Sequence, residues 1–517
     1  MVLRLIVKNP ILSVFGMCLL LFFSAGIFFN GSWFTVASIH YIFIVTTLIL
    51  CDKHYLNRIK MLIIALFFFA GFMLFSEKYI LLLCGEIAVL FFIFFTNKNL
   101  FYVRLFFILC LSFLLHLFYI TQTPIDIRQH DLGGIIAYML DITYNGINIF
   151  EFNPWNMYYF FHQPLHFIVL GYTYIFQLQL WGSSLIAKEG LQYLSLFYVT
   201  ASTVFAFKMF YELKFRRNIL YSLIIFFAFN PILFLFSGFI SDDTPVFFLE
   251  IMFLYQLIKW YKYKKTSYII YAAVCFGLGC LTKLSILALV PAVAILFIYE
   301  LIVSQNKQKI LYDLSLFVVI AVPLSLLWIV RNHVLFDMQF YNIPDTSPLG
   351  QNFKYLTFFE RIGDLSQLFS PFINAPYVAD ANMWLAFIKT ELFGEWNLGL
   401  LNSFVIFPAH CLYFMNIMMK LCCLWGSAAI FYNFYRKRIC FLAFFSACTY
   451  FVVWGYSLYY TLGYPYVCSS NYRYFAFLIM PELTILGILF NKKSSCLLWG
   501  GYVYAALSSL IYSLIFI

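Results

Sequence analysis

An apolar run followed by a polar island organises this chain. Residues 99–120 read NLFYVRLFFILCLSFLLHLFYI, and residues 121–166 read TQTPIDIRQHDLGGIIAYMLDITYNGINIFEFNPWNMYYFFHQPLH. The first stretch is long enough to cross roughly 30 Å of bilayer hydrocarbon as a helix. The second concentrates ionisable side chains, namely Arg128, His130, Asp131, Asp141, Glu151, His162 and His166. The whole chain has only 8 histidines and 10% charged residues. Such groups beside membrane spans indicate a functional region.

The composition predicts the fold class. The chain has 517 residues, 64% of them hydrophobic, and a mean hydropathy of +0.89, whereas soluble domains are about half apolar. Apolar runs of about 17–22 residues recur along the chain, and they lack the alternation of barrel strands. We therefore expect an all-α polytopic membrane protein with roughly 13–16 transmembrane helices. Two large loops on the outer side are expected to carry amphipathic helices.

The positive charge is distributed as membrane topology requires. The formal net charge is +10. The segments predicted inside hold 21 Lys/Arg and 2 Asp/Glu, and they are 1–10, 51–60, 96–104, 211–218, 259–265, 304–309, 435–438 and 491–493. The segments predicted outside hold 8 Lys/Arg and 14 Asp/Glu, and they are 77–78, 121–163, 237–243, 282–285, 331–402 and 458–473. This asymmetry follows the positive-inside rule, so it places the N-terminus in the cytoplasm and argues against nucleic-acid binding.

The predicted spans leave one parity problem. They are 11–29, 34–50, 61–76, 79–95, 99–120, 164–181, 190–210, 219–236, 244–258, 267–281, 286–303, 310–330, 403–432, 440–457, 473–490 and 497–516. Loop 121–163 is predicted outside and the basic segment 214–218 inside, yet two predicted spans separate them. Since an odd number of crossings is required, either one run is re-entrant or the basic segment breaks the charge rule.

Helical periodicity also appears within the two large loops. The stripe predicting an amphipathic helix on the membrane surface consists of Ile135, Ile136, Met139, Leu140 and Thr143. Residues 379–392 are a further helical stretch in loop 331–402. Acids within predicted spans are functional candidates by default, and they are Glu86, Glu250, Asp313 and Glu482. These four acids form no obvious relay.

Two polar motifs lie within the island. Asp131 follows Arg128 and His130 at the mouth of a span, where a carboxylate can accept a proton from an attacking hydroxyl. The alternative is a solvated loop acid. His162 precedes Pro164 at the start of the next span, where an imidazole is suited to a metal or a phosphate. The alternative is an interfacial histidine that hydrogen-bonds the backbone.

Acids and cations also lie at other outer span ends. Asp242 and Asp243 either cap the helix that follows them or bind a cation or a polar substrate. Lys283, Arg331 and Arg473 are outer cations that could converge with His162 on a phosphate, which arginine grips with two donors. Each cation taken singly is also suited to anchoring lipid headgroups.

The order of these motifs resembles the bacterial GT-C glycosyltransferases, the group that includes protein O-mannosyltransferases and the lipid A aminoarabinose transferase. The matching segments are IRQHD (127–131), YYFFHQPLHFI (158–168), AFNPILFLFSGFISDD (228–243), GLGCLTKLS (277–285), WIVRNHVLF (328–336), ELFGEW (391–396) and NYRYFAFLIMP (471–481). The resemblance covers about residues 120–480 and rests on the ordered series of motifs.

The resemblance implies roles for individual residues. Asp131 matches the catalytic acid of the first outer loop. Asp243, more closely than Asp242, matches the acid that ends the NP…D segment, and both, with His130, are expected to orient substrate or metal. The triplet His162-Gln163-Pro164 stands where the aminoarabinose transferase has an acid-basic-Pro triplet whose acid binds metal. It keeps a candidate ligand for a divalent metal ion and loses the cation.

The remaining implied roles concern the donor. Arg473 matches the basic residue of the late RY motif. Lys283, Arg331 and Arg128 complete the set expected to bind the donor phosphate.

The implied function is an inverting glycosyltransferase of the periplasmic face of a bacterial inner membrane. It would move a sugar from a polyprenyl-phosphate donor to a hydroxyl of a glycan, lipid or protein. We expect a catalytic core over 99–490, N-terminal helices in 1–98 and a C-terminal helix in 491–517. The alternatives are a transporter or flippase of lipid-linked saccharides, or an O-antigen polymerase or ligase. A transporter would predict two halves of similar hydropathy, and the two large loops are unlike each other.

Overall fold

All regular elements in the described part of the chain are helical. The computed structural model describes residues 101–145, 151–157, 159–338, 356–373, 382–464 and 467–515. Its α-helices are α1 Phe101–Thr121, α2 Leu132–Asn145, α3 Leu165–Trp181, α4 Ser184–Glu189, α5 Gln192–Glu212, α6 Arg217–Ala228, α7 Pro231–Gly238, α8 Asp243–Tyr263, α9 Thr266–Thr282, α10 Val290–Val303, α11 Lys307–Phe336, α12 Phe358–Gly363, α13 Met383–Phe393, α14 Ile406–Tyr435, α15 Phe441–Gly463, α16 Ile479–Leu489 and α17 Ser494–Leu514. Its 3₁₀ segments are Leu284–Leu289, Leu398–Leu400, Ser403–Val405, Val467–Ser470 and Tyr472–Leu478.

The candidate spans confirm an all-α polytopic membrane protein. Seven helical segments of the described residues are long and apolar enough to cross a membrane, and the bent pair α6–α7 makes an eighth. The expected count of 13–16 also includes the runs before residue 99, which lie outside the described residues. The runs predicted as spans at 99–120, 164–181, 244–258 and 267–281 form α1, α3, α8 and α9, which are not among these candidates.

Span length also bears on the parity problem. Between the end of loop 121–163 and the basic segment 214–218, the structure has one candidate span, Ser184–Glu212. Helix α3 precedes it, is only 17 residues long, and ends at Gly182 in the left-handed region, with φ of 65°. The same length test also leaves out α8, although the charge distribution requires a crossing between the outer segment 237–243 and the inner segment 259–265. The candidate spans therefore do not resolve the parity problem, and the side of the membrane that each loop faces stays a prediction.

An asparagine-proline pair breaks the predicted span 219–236. Helix α7 begins at Pro231, which has no N–H to lose in a first turn. The side chain of Asn230 caps it by accepting a hydrogen bond from Ile232 N at 3.1 Å. Helices α6 and α7 consequently meet at an angle of 46°. This bend directs the chain towards the acids at the start of α8.

The amphipathic helix of loop 121–163 is present as α2, but its apolar stripe packs on protein. Ile135 and Met139 are fully buried in a cluster with Phe167 and Leu170 of α3. Gly171 allows this approach, since a β-carbon there would lie 3.2 Å from the Thr143 hydroxyl. Part of the predicted apolar stripe is thus used in packing against α3, and a position of α2 at the membrane surface stays a prediction.

Two short elements bring the distant loops towards α8. Helix α13 starts at Met383, where the Asn382 side chain caps it by accepting from Trp384 N and Leu385 N. Residues 379–381 of the predicted stretch lie outside the described residues. It ends at Gly394, whose φ of 62° and ψ of −146° are not helical. The 3₁₀ segment Tyr472–Leu478 precedes α16 and begins at the cap residue Asn471. Helix α13 ends, and the 3₁₀ segment begins, beside the polar island.

Candidate active site

The loop that carries Asp131 is fixed to the end of α7. Gln129 donates through Nε2 to the Gly238 carbonyl at 2.6 Å and accepts through Oε1 from Ile240 N at 3.2 Å. Arg128 and Asp131 have positive φ values of 55° and 53°, which are uncommon for residues with a side chain. The loop thus makes two sharp turns, and the second turn leads directly into α2.

Asp242 and Asp243 form a buried ion pair with Lys283. The Lys283 ammonium donates to Asp242 Oδ1 at 2.9 Å and to Asp243 Oδ1 at 2.6 Å. Neither acid caps α8: Asp242 is the N-cap residue, but its side chain makes no capping hydrogen bond. Of the two roles left open by the sequence, the structure therefore disfavours the cap, because Lys283 claims both carboxylates.

Arg473 joins this pair to Asp131. Its Nη1 lies 3.6 Å from Asp243 Oδ2, and its Nη2 lies 3.8 Å from Asp131 Oδ2. Nη2 also donates to the Tyr474 hydroxyl at 2.9 Å. Both carboxylate distances exceed the 2.7–2.9 Å typical of charge-assisted hydrogen bonds. Arg473 therefore connects acids from two separate segments without a short ion pair to either of them.

His162 completes the cluster at its other end. Its Nδ1 lies 3.5 Å from Asp242 Oδ2, and its ring stacks on Tyr159 with centroids 4.3 Å apart. We call the connected set the open network, and its members are Asp131, His162, Asp242, Asp243, Lys283 and Arg473. Five of the positions expected to meet in one place, Asp131, His162, Asp243, Lys283 and Arg473, are thus in one connected cluster.

The other predicted site residues are placed differently. Arg128 donates to the Thr123 hydroxyl at 2.9 Å and to the Tyr119 hydroxyl at 3.3 Å, and so it holds its own loop. Arg331 hydrogen-bonds the Phe152 carbonyl and Asn332, and its guanidinium stacks on the Trp328 ring at 4.5 Å.

These contacts give both arginines a role in positioning loops. Binding of the donor phosphate by either one stays a prediction.

His130 contacts a carboxylate that the sequence analysis did not single out. Its Nδ1 lies 3.5 Å from Glu395 Oε2, and Asn471 donates to Glu395 Oε1 at 2.7 Å. The His130 ring packs between Trp396 and Phe239, with centroid distances of 4.9 and 5.2 Å. The signal for Glu395 was its place in the segment ELFGEW, which carried the resemblance. Its contacts could not be foreseen because they depend on the turn at Gly394.

Burial and charge set the protonation of this region. Burial opposes a charged Asp242, but the Lys283 ammonium and His162 outweigh it and hold the pKa of Asp242 below its ordinary value. Despite its own burial, Lys283 has a raised pKa because it faces Asp242 and Asp243. Burial and the Arg473 charge lower the pKa of His130 well below its ordinary value. Asp242 and Lys283 are therefore both charged around pH 7, and His130 is neutral.

Exposure differs sharply between the members of the cluster. The Asp131 side chain is 48% exposed and Glu395 is 35% exposed, whereas Arg473 and Asp243 are 5% and 1% exposed. The cations thus form a buried floor, and two carboxylates stand at its accessible edge. This arrangement allows a substrate hydroxyl to approach Asp131 while an anion approaches the guanidinium.

The described residues hold no group of three or more His, Cys, Asp or Glu side chains arranged to hold a metal ion. His162, the predicted metal ligand, lies beside the carboxylate of Asp242. Asp242 Oδ2 is buried and makes no hydrogen bond within the described ranges, so it is suited to a ligand of this kind. Divalent cations bound by one or two protein groups commonly take substrate phosphates as further ligands.

Comparison with known families identifies the class of the central part of the chain. Residues 172–338 match the family model of dolichyl-phosphate-mannose-protein mannosyltransferase. The match covers about a third of the chain, and it confirms the resemblance to the GT-C glycosyltransferases and the prediction of a membrane glycosyltransferase. It includes Asp242, Asp243 and Lys283 of this glycosyltransferase, whereas Asp131 and Arg473 lie outside it. No curated protein matches the chain.

Proposed function

We propose that the protein is an inverting glycosyltransferase that uses Asp131 as its base. A sugar would pass from a polyprenyl-phosphate donor to a hydroxyl of a glycan, lipid or protein on the extracytoplasmic face, which in a bacterium is the periplasmic face of the inner membrane. The matched family's name favours mannose as the sugar. The observation that carries the proposal is the contact of exposed Asp131 with buried Arg473, which in turn reaches Asp243.

The proposed reaction is a single displacement. The acceptor oxygen forms a bond to the anomeric carbon as its proton passes to an Asp131 carboxylate oxygen. The bond between the anomeric carbon and the phosphate oxygen breaks, and its electron pair leaves with the polyprenyl phosphate. Attack opposite to the leaving group inverts the anomeric centre. Because phosphate leaves as a stabilised anion, the site needs positive charge more than it needs a general acid.

Arg473 is better placed than Lys283 to supply that charge. Lys283 is tightly paired, with carboxylate oxygens at 2.6 and 2.9 Å. Arg473 has only loose carboxylate contacts, and its buried Nε makes no hydrogen bond among the described residues. An arginine with unused donors can grip a phosphate oxygen. We infer that Arg473 binds the donor phosphate and that Lys283 holds Asp242 and Asp243 in place.

An apolar cavity near the open network supports a lipid donor. Its volume is about 380 Å³, and its lining includes Phe248 and Leu278. Phe248 follows Asp243 by five residues on α8, and Leu278 precedes Lys283 by five residues on α9, so each lies roughly 7.5 Å along its helix from the network. A polyprenyl chain lying in this cavity would hold its phosphate near Arg473. The cavity is lined by residues of α5, α8 and α9, and we infer that the lipid enters between these helices.

A divalent cation at His162 and Asp242 is part of the same proposal. It would add positive charge beside the leaving phosphate. The reaction as written needs only the side chains of this chain. Elemental analysis of the purified protein, with His162→Gln as the comparison, would show whether a metal is bound.

The test is turnover by purified protein in lipid nanodiscs. Polyprenyl-phosphate mannose with a labelled sugar is offered with hydroxyl-bearing peptides, glycans or lipids, and free polyprenyl phosphate is measured. Asp131→Asn should lower turnover by roughly 10²–10⁴-fold, the usual contribution of a general base. Asp126→Asn is the matched control, since Asp126 is an exposed acid of the same loop, and it should be as active as the wild type.

Three results would count against the proposal. Turnover by Asp131→Asn at the wild-type rate removes Asp131 as the base. Retention of the anomeric configuration in the product excludes a single displacement. Movement of intact donor across a vesicle membrane without release of polyprenyl phosphate would favour a transporter of lipid-linked saccharides.

A further inference from the structure

Glu395 is a reachable carboxylate in a fixed position. Its side chain is 35% exposed, yet Asn471 donates to one of its oxygens at 2.7 Å and His130 Nδ1 lies 3.5 Å from the other. These two partners hold the carboxylate in one orientation, while part of it stays open to solvent. A group that is both held and accessible is suited to accept hydrogen bonds from a ligand, because little side-chain entropy is lost on binding.

An aromatic side chain stands next to this carboxylate. Trp396 is partly exposed and lies against His130, with ring planes tilted by 42° and centroids 4.9 Å apart. Its ring folds back over Gly394, where an added β-carbon would lie 2.4 Å from Trp396 Cζ3. The bare glycine therefore leaves the space that the indole occupies. We call His130, Glu395 and Trp396 the ledge.

The ledge adjoins the open network at two points of the chain. His130 directly precedes Asp131, and Asn471 lies two residues before Arg473. A ligand on the ledge would thus lie beside both the exposed acid and the cation. A phosphate is a poor ligand for the ledge itself, because Glu395 would repel it. The ligand should instead be neutral, with hydroxyl donors on one side and an apolar face on the other.

A hexose has this combination of groups. We propose that the ledge binds the sugar of the lipid-linked donor, with Glu395 accepting hydrogen bonds from its hydroxyls and Trp396 packing on its C–H face. This inference rests on the proposed glycosyltransferase function and names the residues that recognise the sugar. Arg473 would hold the phosphate at the other end of the donor head group, so that the anomeric carbon lies between Arg473 and the ledge, within reach of an acceptor on Asp131.

Glu395→Gln separates sugar recognition from phosphate recognition. The amide keeps the size of the side chain and loses the charge and one acceptor. A hydrogen bond from a hydroxyl to a carboxylate is worth roughly a 10- to 100-fold change in affinity. We expect kcat/KM for the full donor to fall by about that factor, mainly through KM. Inhibition by polyprenyl phosphate, which has no sugar, should change by less than about twofold, the scatter expected for an untouched contact.

A series of donors lacking single hydroxyls identifies the contact. Wild-type protein should use one of these deoxy donors about as poorly as Glu395→Gln uses the full donor. Glu395→Gln should use that deoxy donor about as well as it uses the full donor, since the variant already lacks the interaction. Glu151→Gln is the matched control, because Glu151 is an exposed loop acid, and it should discriminate between the donors as the wild type does.

The alternative is that Glu395 only holds Asn471 and His130 in place. In that case Glu395→Gln would lower turnover of every donor equally, or weaken inhibition by polyprenyl phosphate as much as use of the donor. Either result would overturn the inference, as would full wild-type discrimination by the variant. If the wild type is inactive with every polyprenyl-phosphate sugar, the glycosyltransferase proposal itself fails, and the ledge assignment fails with it.

Discussion

Two charged clusters lie close together in this protein and differ in how they are built. In the buried triad, Lys420 Nζ lies 2.7 Å from Glu391 and 2.6 Å from Glu482, and these side chains are at most 8% exposed. In the open network, Arg473 lies 3.6 and 3.8 Å from its acids, and Asp131 is 48% exposed. Short, sealed contacts fix helices relative to each other. Loose, accessible contacts leave donors for a ligand.

The two clusters share their supporting segments. Glu391 belongs to the triad, and Glu395, four residues later, belongs to the ledge. Residues four apart on one helix would share a face, but α13 ends at Phe393 and Gly394 redirects the chain. Tyr472 likewise packs its ring 5.0 Å from Lys420, while the next residue is Arg473. The triad therefore holds in place the two segments that carry Glu395 and Arg473.

Removing the lysine of the triad should have the largest effect on stability. Lys420→Met would leave two buried carboxylates without their cation, which costs about 3–5 kcal/mol when one partner of a buried pair is lost. This is a large part of the 5–15 kcal/mol by which folded domains are typically stable. Thermal unfolding in one detergent, followed by circular dichroism, compares the variant with the wild type.

A triple variant separates the effect of the charges on stability from the effect of side-chain packing. Lys420→Met combined with Glu391→Gln and Glu482→Gln removes all three charges and keeps similar volumes, so it should recover much of the lost stability. If Lys420→Met unfolds at the wild-type temperature, the triad does not hold these helices together. The division between a stabilising triad and a functional network would then fail.

The sequence predicted the open network better than the triad. Asp131, Asp243, Lys283 and Arg473 were expected in one place, because each lies in a segment that resembles the GT-C class. Glu482 was noticed as an acid within a span, but its partner Lys420 lies 62 residues away on α14. That pairing depends on how α14 and α16 cross, which local patterns do not determine.

The positions of several helices could also be predicted from local sequence patterns. Apolar length predicted helices at α1, α3 and α5 to within two residues. The bend at Asn230 and the burial of α2 against α3 arise from a cap and from tertiary packing. Glu395 was missed because its surroundings depend on one turn, at Gly394.

Replacing Arg473 should affect activity more than stability, which is the reverse of what we expect for Lys420. We expect Arg473→Gln to lower kcat/KM by roughly 100-fold, the usual effect of losing a donor aimed at developing charge. Its stability should fall less than that of Lys420→Met, because Asp243 keeps Lys283 at 2.6 Å. Turnover and thermal unfolding measured on the same preparation provide the comparison.

A conservative variant sharpens this prediction. Arg473→Lys keeps the charge and loses the planar pair of donors, so it should fall between wild type and Arg473→Gln. A loss of stability equal to that of Lys420→Met, with normal turnover in the protein that remains folded, would place Arg473 with the structural ion pairs instead.

Gly394 should show the smallest of the three effects, and it connects both clusters. Alanine at φ 62° and ψ −146° is strained by about 1–3 kcal/mol, and its β-carbon would meet the Trp396 ring. Gly394→Ala should therefore displace Trp396 and raise KM for the donor, while the triad, which includes Glu391 of α13, keeps the protein folded.

Gly455→Ala is the control, since Gly455 lies within α15 and a β-carbon there meets nothing within 4 Å. It should be as active as the wild type and at least as stable. Normal donor KM in Gly394→Ala would mean that the indole position is unimportant. A loss of stability as large as that of Lys420→Met would mean that this turn supports the helices as well as the ledge.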